Sequence, residues 1–227
     1  MKNICIIPAR GGSKRIPRKN IKDFLGKPII AYSIEAALKS NLFDEVMVST
    51  DDEEIAAIAR QYGASVPFMR STETASDYAT TADVLLEVIA KYREFGKEFD
   101  VLCCLYATAP FVEAKRLKEC FELLQDDIDS AFTVVEYSYP IQRSLVCQNK
   151  LIRMAYPEYK TSRSQDLQKH YHDAGQFYFS TVKNLIENKF LWGTHTSPLV
   201  LSELEVQDLD TLTDWHLAEM KYKLLHE

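Results

Sequence analysis

The sequence has no apolar stretch long enough to cross a bilayer and no secretory signal peptide. Its start, Met1-Lys2-Asn3, leads directly into strand-like sequence, and internal repeats and low-complexity tracts are missing as well. These absences argue against a membrane protein or an exported one. We therefore expect a cytoplasmic protein that has no membrane partner.

The sequence also lacks the cysteine spacings that mark zinc or redox sites. Its five cysteines include no Cys-x-x-Cys pair, and Cys103 and Cys104 are adjacent within an apolar run. An odd number of thiols without such spacing favours reduced side chains that serve as small core residues.

The composition indicates one sizeable folded domain. Of the 227 residues, 46% are hydrophobic, which is enough for a substantial core. The net charge of −6 leaves no general basic surface, so nucleic acid is not expected as a partner.

Strand-like and helical patterns alternate through the first two-thirds of the chain. Apolar runs typical of strands lie at 4–7, 45–49, 100–105 and 130–135, and helical patterns lie at 28–40, 55–62, 80–94 and 113–124. This alternation predicts an α/β fold, a doubly wound and mostly parallel sheet with helices on both faces. In such folds ligands bind at the carboxyl ends of the strands.

The alternation breaks at residues 137–169, which are rich in Tyr, Arg, Gln and Ser and have no clean period. We interpret this segment as an insertion, an arm that contacts another subunit. The predicted domain then consists of 1–136 and 170–227. Strand-like sequence resumes at 176–179, and a final helix is predicted at about 212–225.

The most informative segment is the loop after the first strand, residues 7–20, which reads IPARGGSKRIPRKN. Gly11 and Gly12 allow a ligand to approach the backbone closely, and the loop carries five basic residues and no acidic one. A basic, glycine-bearing loop at a strand end is typical of a polyphosphate site. The alternative is a solvated basic turn. The loop is neither a Walker A motif nor a Gly-x-Gly-x-x-Gly motif.

A second signal is the acidic pair Asp208 and Asp210, which precedes the final helix. Carboxylates at i and i+2 of an extended segment project to one face, as coordination of Mg²⁺ requires. The alternative is that these acids only favour the helix dipole, a role that the nearby Asp214 could share.

Other candidate motifs are weaker. His170, His172 and Asp173 resemble a metal cluster, but alternate residues without a third His or Cys nearby make a poor zinc site. We interpret them as a polar pocket wall. No Ser or Cys lies in a nucleophile-elbow context, so covalent catalysis has no support.

The loop at 7–20 resembles the signature of the nonulosonate cytidylyltransferases, which activate sialic-acid-type nine-carbon sugars with CTP. Further similarities follow in order at 48–51 (VSTD), 75–77 (ASD), 108–110 (TAP), 163–167 (RSQDL) and 208–211 (DLDT). The resemblance covers essentially the whole chain. It implies a doubly wound α/β domain with a small dimerisation insertion, a homodimer, Mg²⁺ as cofactor, and CTP and a nine-carbon keto sugar acid as substrates.

The resemblance also implies a role for each matching residue. The nucleotide-binding residues would be Ala9, Arg10, Gly11, Gly12, Ser13, Lys14, Asn20, Arg70, Ala79 and Thr81. The sugar-binding residues would be Tyr106, Thr108, Arg163, Gln165, Asp166, His172, Gln176 and Tyr178. The metal ligands would be Asp208 and Asp210. The catalytic residues would be Arg10, Lys14, Lys19 and Asp210.

Departures from the sialate pattern bear on the choice of sugar. Residues 106–112 (YATAPFV) and 172–176 (HDAGQ) replace the usual Gln-Pro-Thr-Ser-Pro-Leu-Arg and Arg-Pro-Asn-Gly-Ala. The segment 171–178 looks instead like that of the pseudaminate cytidylyltransferases. Tyr106, Phe111 and Val112 suit a less hydroxylated substrate. The resemblance thus favours pseudaminate, with sialate or legionaminate as alternative sugars. A non-catalytic nucleotide-binding module is the alternative of another class.

Overall fold

The computed structural model describes residues 1–125 and 127–226, which form ten strands and seven α-helices. The strands are β1 (Asn3–Pro8), β2 (Asp23–Phe24), β3 (Lys27–Pro28), β4 (Glu45–Ser49), β5 (Val101–Leu105), β6 (Ser130–Glu136), β7 (Leu145–Gln148), β8 (Leu151–Met154), β9 (Tyr171–Thr181) and β10 (Thr196–Leu201). The helices are α1 (Ile29–Ser40), α2 (Glu53–Gln61), α3 (Thr72–Ala75), α4 (Thr81–Glu94), α5 (Ala114–Phe121), α6 (Val182–Asn188) and α7 (Leu212–His226).

A six-stranded sheet with the order β10-β6-β9-β5-β1-β4 forms the centre of the molecule. β1 pairs in parallel with β4 and β5, and β10 pairs in parallel with β6. The predicted doubly wound, mostly parallel sheet is therefore confirmed. β9 is the antiparallel exception, because it lies between β5 and β6 and runs against both.

Helices cover both faces of this sheet. In β1, Cys5 and Ile7 point into the core beneath α1, α2 and α5, whereas Ile4 and Ile6 point into the core beneath α4 and α6. A strand buried on both faces reads as a continuous apolar run, which is why β1 could be predicted.

The predicted helices are present, and two sequence signals mark their ends. The Thr80 side chain accepts a hydrogen bond from the Asp83 backbone, and Asp83 bonds back to Thr80 in a capping box at the start of α4. Gly63 follows α2 with φ of +94°, the left-handed conformation that glycine adopts at a helix end. α6 was not predicted, and its seven residues are too few to show a period.

Residues 137–169 contain the hairpin of β7 and β8. Its turn residues Asn149 and Lys150 have φ of 53° and 66°, which is the type I′ geometry that suits the twist of a hairpin. Leu151 and Ile152 are 75% and 67% exposed. The hairpin therefore presents apolar side chains to solvent.

Four of the cysteines, Cys5, Cys103, Cys104 and Cys120, are free and buried, as predicted for small core residues. Cys147 differs, because it is exposed on β7. Within 1–125 and 127–226, no helix is both long and apolar enough to cross a membrane.

Candidate active site

The site lies where the loops after β1, β4 and β5 meet, because these neighbouring parallel strands end at the same edge of the sheet. A cavity of about 520 Å³, the first cavity, opens there. It is lined by ten of the predicted site residues, namely Arg10, Ser13, Lys14, Lys19, Asn20, Arg70, Ala79, Thr81, Tyr106 and Thr108.

The backbone of the basic loop is held by hydrogen bonds to its neighbours. The buried Asn20 donates from Nδ2 to the carbonyl of Arg10 at 2.9 Å, and the N–H of Gly11 donates to Asp51 Oδ1 at 2.9 Å. A Cβ on Gly11 would lie 2.8 Å from Asp52 Oδ2. A larger residue at position 11 would therefore press against Asp52, a reason for glycine that differs from the predicted approach of a ligand.

Ala9 and Gly12 do not line the first cavity among the described residues. Ala9 is buried, and its N–H donates to the carbonyl of Ser49 at 2.9 Å. It thus fixes the start of the loop against β4. A Cβ on Gly12 would meet nothing within 4 Å, so space does not require a glycine there.

Two cations that face the first cavity share one carboxylate. Arg10 Nη1 lies 2.7 Å from Asp77 Oδ1, and Lys14 Nζ lies 2.5 Å from Asp77 Oδ2. Hydrogen bonds from Lys14 and then Arg10 lower the pKa of Asp77. The two cations are thus held at the cavity by an acid that would compete with an anionic ligand.

Arg18 serves a structural role in the same loop. Its guanidinium donates to Asp52 Oδ2 at 2.5 Å and to Asp52 Oδ1 at 3.0 Å. The hydrogen bond from Arg18 is the main reason why the pKa of Asp52 falls to about 2. Asp52 also accepts from the N–H of Ile55 at the start of α2. Arg18 thus joins the loop to a helix end.

Arg70 is a buried cation on the wall of the first cavity. Its Nε donates to Ser49 Oγ at 3.1 Å, and its Nη2 donates to the Ser49 carbonyl at 2.6 Å. Burial lowers the pKa of Arg70. The guanidinium has further N–H groups that these contacts do not use. A buried arginine with spare donors is a suitable partner for carbonyl groups of a nucleobase.

The loop at 208–210 meets the basic loop directly. Lys19 Nζ donates to the carbonyl of Leu209 at 2.7 Å, and Arg15 forms an ion pair with Asp210. Burial lowers the pKa of Lys19, and the charges of Asp210 and Asp208 oppose that effect. The N-terminal cations and the C-terminal acids thus form one charged cluster.

The acid that accepts hydrogen bonds at the start of the final helix is Asp214. Its Oδ2 accepts from the N–H of Asp210 at 3.2 Å and from the N–H of Thr211 at 2.7 Å. Asp208 Oδ1 accepts instead from the N–H of Leu209. Asp208 and Asp210 are therefore not needed to cap α7.

A second cavity of about 280 Å³ adjoins the first. Lys19, Tyr106 and Thr108 line both. The other residues that line the second cavity are Ala109, Phe111, Asp173, Ala174, Gly175, Gln176, Gln207 and Asp208. The two cavities together provide space for two ligands that meet at a shared wall.

Among the predicted sugar-binding residues, Gln176 lines the second cavity, but its Nε2 already donates to the carbonyl of Glu205 at 2.5 Å. Tyr178 is buried, and its hydroxyl donates to Asp173 Oδ2 at 2.7 Å. His172 lines a neighbouring cavity, where its ring packs 5.0 Å from that of Tyr137. The structure thus brings Gln176 to the second cavity and leaves His172 beside it.

Arg163, Gln165 and Asp166 are exposed on the segment 137–169. In the described part of the chain, no residue of this segment lines the first or the second cavity. Arg163 Nε lies 3.4 Å from Asp166 Oδ2. This chain alone does not bring these predicted residues to the site.

Two residues that contact predicted site residues were not predicted as site residues themselves. Asp77 pairs with Arg10, and Arg15 pairs with Asp210. The basic loop contained a signal for Arg15, but spacing could not show what that residue would contact. Asp173 was interpreted as part of a polar pocket wall, and it lines the second cavity.

The carboxylates at 208 and 210 have the chemistry that Mg²⁺ requires, although Asp210 does not line either cavity among the described residues. No group of three or more His, Cys, Asp or Glu side chains arranged to hold a metal occurs in 1–125 and 127–226. Proteins commonly hold Mg²⁺ with one or two carboxylates, together with water and substrate phosphates. A pair of carboxylates beside cations that could bind phosphate fits that mode.

The whole chain is similar to known proteins. The chain is 48% identical to the pseudaminic acid cytidylyltransferase of Campylobacter jejuni, over 100% of this chain and 99% of the relative. It is 36% identical to the CMP-N,N'-diacetyllegionaminic acid synthase of Legionella pneumophila, over 100% of this chain and 99% of that protein.

The fold is also that of a solved enzyme. The CMP:2-keto-3-deoxy-manno-octonic acid synthetase complexed with CTP superposes with a TM-score of 0.70 over 100% of this chain and 99% of the other, at 20% identity. A sequence profile described as Cytidylyltransferase matches residues 4–205. With a charged cluster at the strand ends and full-length relatives of this kind, the chain belongs to the cytidylyltransferase family.

Proposed function

We propose that this protein transfers CMP from CTP to pseudaminate, giving CMP-pseudaminate and pyrophosphate. The full-length similarity to the Campylobacter jejuni enzyme supports the choice of reaction. The observation that carries the proposal is the contact between the basic loop and the acidic loop. Lys19 reaches Leu209, and Arg15 reaches Asp210, beside two adjoining cavities.

The first cavity is the proposed CTP site. Arg10, Lys14 and Lys19 supply positive charge for the triphosphate, and they stabilise the charge that builds on the leaving pyrophosphate. Ser13 and Asn20 line the same cavity. Arg70, Ala79 and Thr81 also line it and are the proposed contacts of cytosine. The triphosphate would compete with Asp77 for Arg10 and Lys14.

The second cavity is the proposed sugar site, with Tyr106 and Thr108 at the wall that it shares with the first. The anomeric hydroxyl oxygen forms a bond to the α-phosphorus of CTP. The bond from that phosphorus to the β-phosphate oxygen breaks in line, and pyrophosphate leaves. The hydroxyl gives up its proton, for which Asp210 is the proposed acceptor through water. Lys19 lines both cavities and can contact both substrates at the reacting end.

Asp208 and Asp210 are the proposed ligands of Mg²⁺, together with substrate phosphates. When bound, the ion would offset the negative charge of the phosphates and make the attacking hydroxyl easier to deprotonate. Arg15 holds the Asp210 carboxylate at the site, and Lys19 holds the backbone between the two acids.

We also propose that residues 137–169 form a dimerisation arm. The exposed Leu145, Leu151 and Ile152 on its hairpin support contact with a second copy of the chain. Arg163, Gln165 and Asp166 could contact sugar only if the arm of one subunit lay over the site of its partner. Light scattering of Leu151→Glu against the control Lys150→Glu tests this. Leu151→Glu should be a monomer, whereas Lys150→Glu should remain a dimer. A monomeric wild-type protein would refute the proposal that this segment is a dimerisation arm.

Pyrophosphate release from CTP, with the product identified by mass spectrometry, tests the reaction. We expect CMP-pseudaminate to form, and Lys14→Ala to lower the rate severely while the protein remains folded. If CTP binds in calorimetry, with and without Mg²⁺, and no nonulosonate causes release of pyrophosphate, the non-catalytic module is the correct account. Release of pyrophosphate with sialate or legionaminate, and none with pseudaminate, would support CMP transfer from CTP but refute pseudaminate as the acceptor sugar.

A further inference from the structure

The second cavity holds an unusual balance of charge for a site that would take a sugar acid. Its lining includes one cation, Lys19, and two carboxylates, Asp173 and Asp208, within the described residues. Lys19 lies at the wall shared with the first cavity. An anionic group of a ligand is therefore favoured on the Lys19 side. A group that donates hydrogen bonds is favoured near the carboxylates.

Asp173 is held in a defined position by its own strand. The N–H of Gly175 donates to its Oδ1 at 2.7 Å, and the hydroxyl of Tyr178 donates to its Oδ2 at 2.7 Å. Gly175 has φ of +64°, and the pairing of β6 with β9 shifts register nearby, between Phe132 and Val134. This irregularity turns residues 173–176 toward the second cavity.

Tyr178 anchors the carboxylate from the core side. It is 3% exposed, and its ring packs edge to face against Tyr106 with 5.6 Å between centroids. Burial, with smaller contributions from Tyr106 and Asp173, raises the pKa of Tyr178, so its hydroxyl remains a donor at neutral pH. Tyr106 in turn lies 3.4 Å from Thr81 through their hydroxyl oxygens. The carboxylate is thus connected to the wall between the cavities.

The two contacts leave Asp173 with unused capacity. A carboxylate has about four lone-pair positions, and Gly175 and Tyr178 occupy one on each oxygen. Asp173 is exposed and lines the second cavity, so the remaining positions are accessible to a ligand. A negative acceptor of this kind binds N–H and O–H groups and repels carboxylates.

We infer that Asp173 is a specificity-determining residue, which accepts a hydrogen bond from an amide N–H or a hydroxyl of the sugar. The inference rests on the proposed function, because it takes the second cavity as the sugar site. Tyr178 is a positioning residue that holds the carboxylate in place. Asp173 also orients the sugar, because it excludes the sugar's own carboxylate from its side of the cavity and leaves that group to Lys19.

The test is steady-state release of pyrophosphate by Asp173→Asn and Tyr178→Phe, with CTP and the sugar varied in turn. Glu136→Gln is the matched control, because Glu136 is a carboxylate on the adjoining strand that pairs with Lys169 at 2.8 Å. For Asp173→Asn we expect the KM for sugar to rise about tenfold to a hundredfold, the loss typical of a hydrogen bond to a charged group. The KM for CTP should stay within about twofold of the wild-type value, because Asp173 does not line the first cavity.

Tyr178→Phe should raise the KM for sugar by a smaller factor, and the double variant should lose less than the product of the single losses, because both changes affect one contact. An unchanged KM for sugar in Asp173→Asn, or equal losses for both substrates, would overturn the inference. Circular dichroism and calorimetric CTP binding show whether each variant is folded. A wild-type enzyme that is inactive with every sugar would refute the proposed function instead.

Discussion

Lys19 and Leu209 are 190 positions apart in sequence, yet the ammonium of Lys19 donates to the carbonyl of Leu209 at 2.7 Å. This contact places a partly buried cation between two carboxylates, at the wall shared by the two cavities. In the proposed reaction this lysine would act on the reacting phosphate, where the two substrates would meet.

Replacement of Lys19 by methionine removes that charge and keeps most of the side-chain volume. We expect Lys19→Met to lower kcat/KM by about a hundredfold or more, because a charge aimed at developing negative charge commonly contributes about 3 kcal/mol. The control is Lys22→Met, since Lys22 lies 5.4 Å from the ring centroid of Trp215 and does not line either described cavity. Equal, small losses in both variants would show that Lys19 has no special role.

Asp77 competes with the triphosphate for Arg10 and Lys14. Asp77→Asn should therefore tighten CTP binding by up to about fivefold, a small effect because exposed ion pairs are weak. Calorimetry at low and at high ionic strength measures it, and the gain should shrink as salt increases. The control is Glu73→Gln, which changes an exposed acid in the preceding helix α3. It should leave the affinity for CTP unchanged. Weaker CTP binding by Asp77→Asn would mean that Asp77 assists the ligand.

Asp210 and Asp214 are four residues apart, and their proposed roles are different. Asp210→Asn should raise the Mg²⁺ concentration needed for half-maximal rate, with little change in thermal stability. Asp214→Ala should leave the Mg²⁺ requirement unchanged. It should lower Tm by about 2–4 °C, because it removes the acceptor for the N–H of Thr211. Magnesium titration and thermal melts of both variants separate these outcomes. A lower Tm for Asp210→Asn, with no change in its Mg²⁺ requirement, would assign Asp210 to the helix end as well.

Glu87 in α4 supports the wall of the first cavity, because its carboxylate accepts hydrogen bonds from Ser71 and Thr74 at the start of α3, and Thr74 lines that cavity. Burial alone would raise its pKa, but hydrogen bonds from Lys91, Thr74 and Ser71 outweigh burial and bring the pKa to about 2, below the usual 4.5. A depressed pKa in the folded state stabilises the protein above the unfolded value. That stabilisation is lost as the pH falls toward 2.

Glu87→Gln should therefore lower the free energy of unfolding by about 2 kcal/mol at pH 7. The difference between wild type and variant should shrink as the pH falls from about 5 toward the pKa of Glu87, about 2. Urea unfolding at a series of pH values checks this. A difference that stayed constant across the range would show that the carboxylate charge does not carry the effect.

The parts of the fold that could be predicted are those in which burial produces a recognisable hydrophobic pattern in the sequence. β1 and β5 are buried on both faces and form continuous apolar runs, and α4 shows both a capping box and a buried stripe. The first half of β9 was missed because Tyr171, His172 and Asp173 are exposed and pair with the end of β6, beyond the main cores. The hairpin of β7 and β8 was missed because its strands are largely exposed and do not alternate.

For the site, the position of the basic loop followed from its place at a strand end, and family resemblance suggested roles for its residues. The sequence did not show which side chains those residues would contact. Asp77 lies 67 positions from Arg10, and only the folded chain shows that they meet. Likewise, the sequence left open whether Asp208 and Asp210 bind a metal or favour the helix end, and only the structure shows that Asp214 is the acid that accepts from the N–H groups just before α7.

The most direct test of the whole account is a competition in one reaction vessel. CTP, Mg²⁺ and equal concentrations of pseudaminate, legionaminate and sialate are supplied to the wild-type protein, and mass spectrometry measures the initial ratio of CMP-sugars. That ratio equals the ratio of kcat/KM values. We predict that CMP-pseudaminate predominates by about tenfold or more, a margin set by a few differing polar contacts. A predominance of CMP-sialate, or no CMP-sugar at all, would contradict the account.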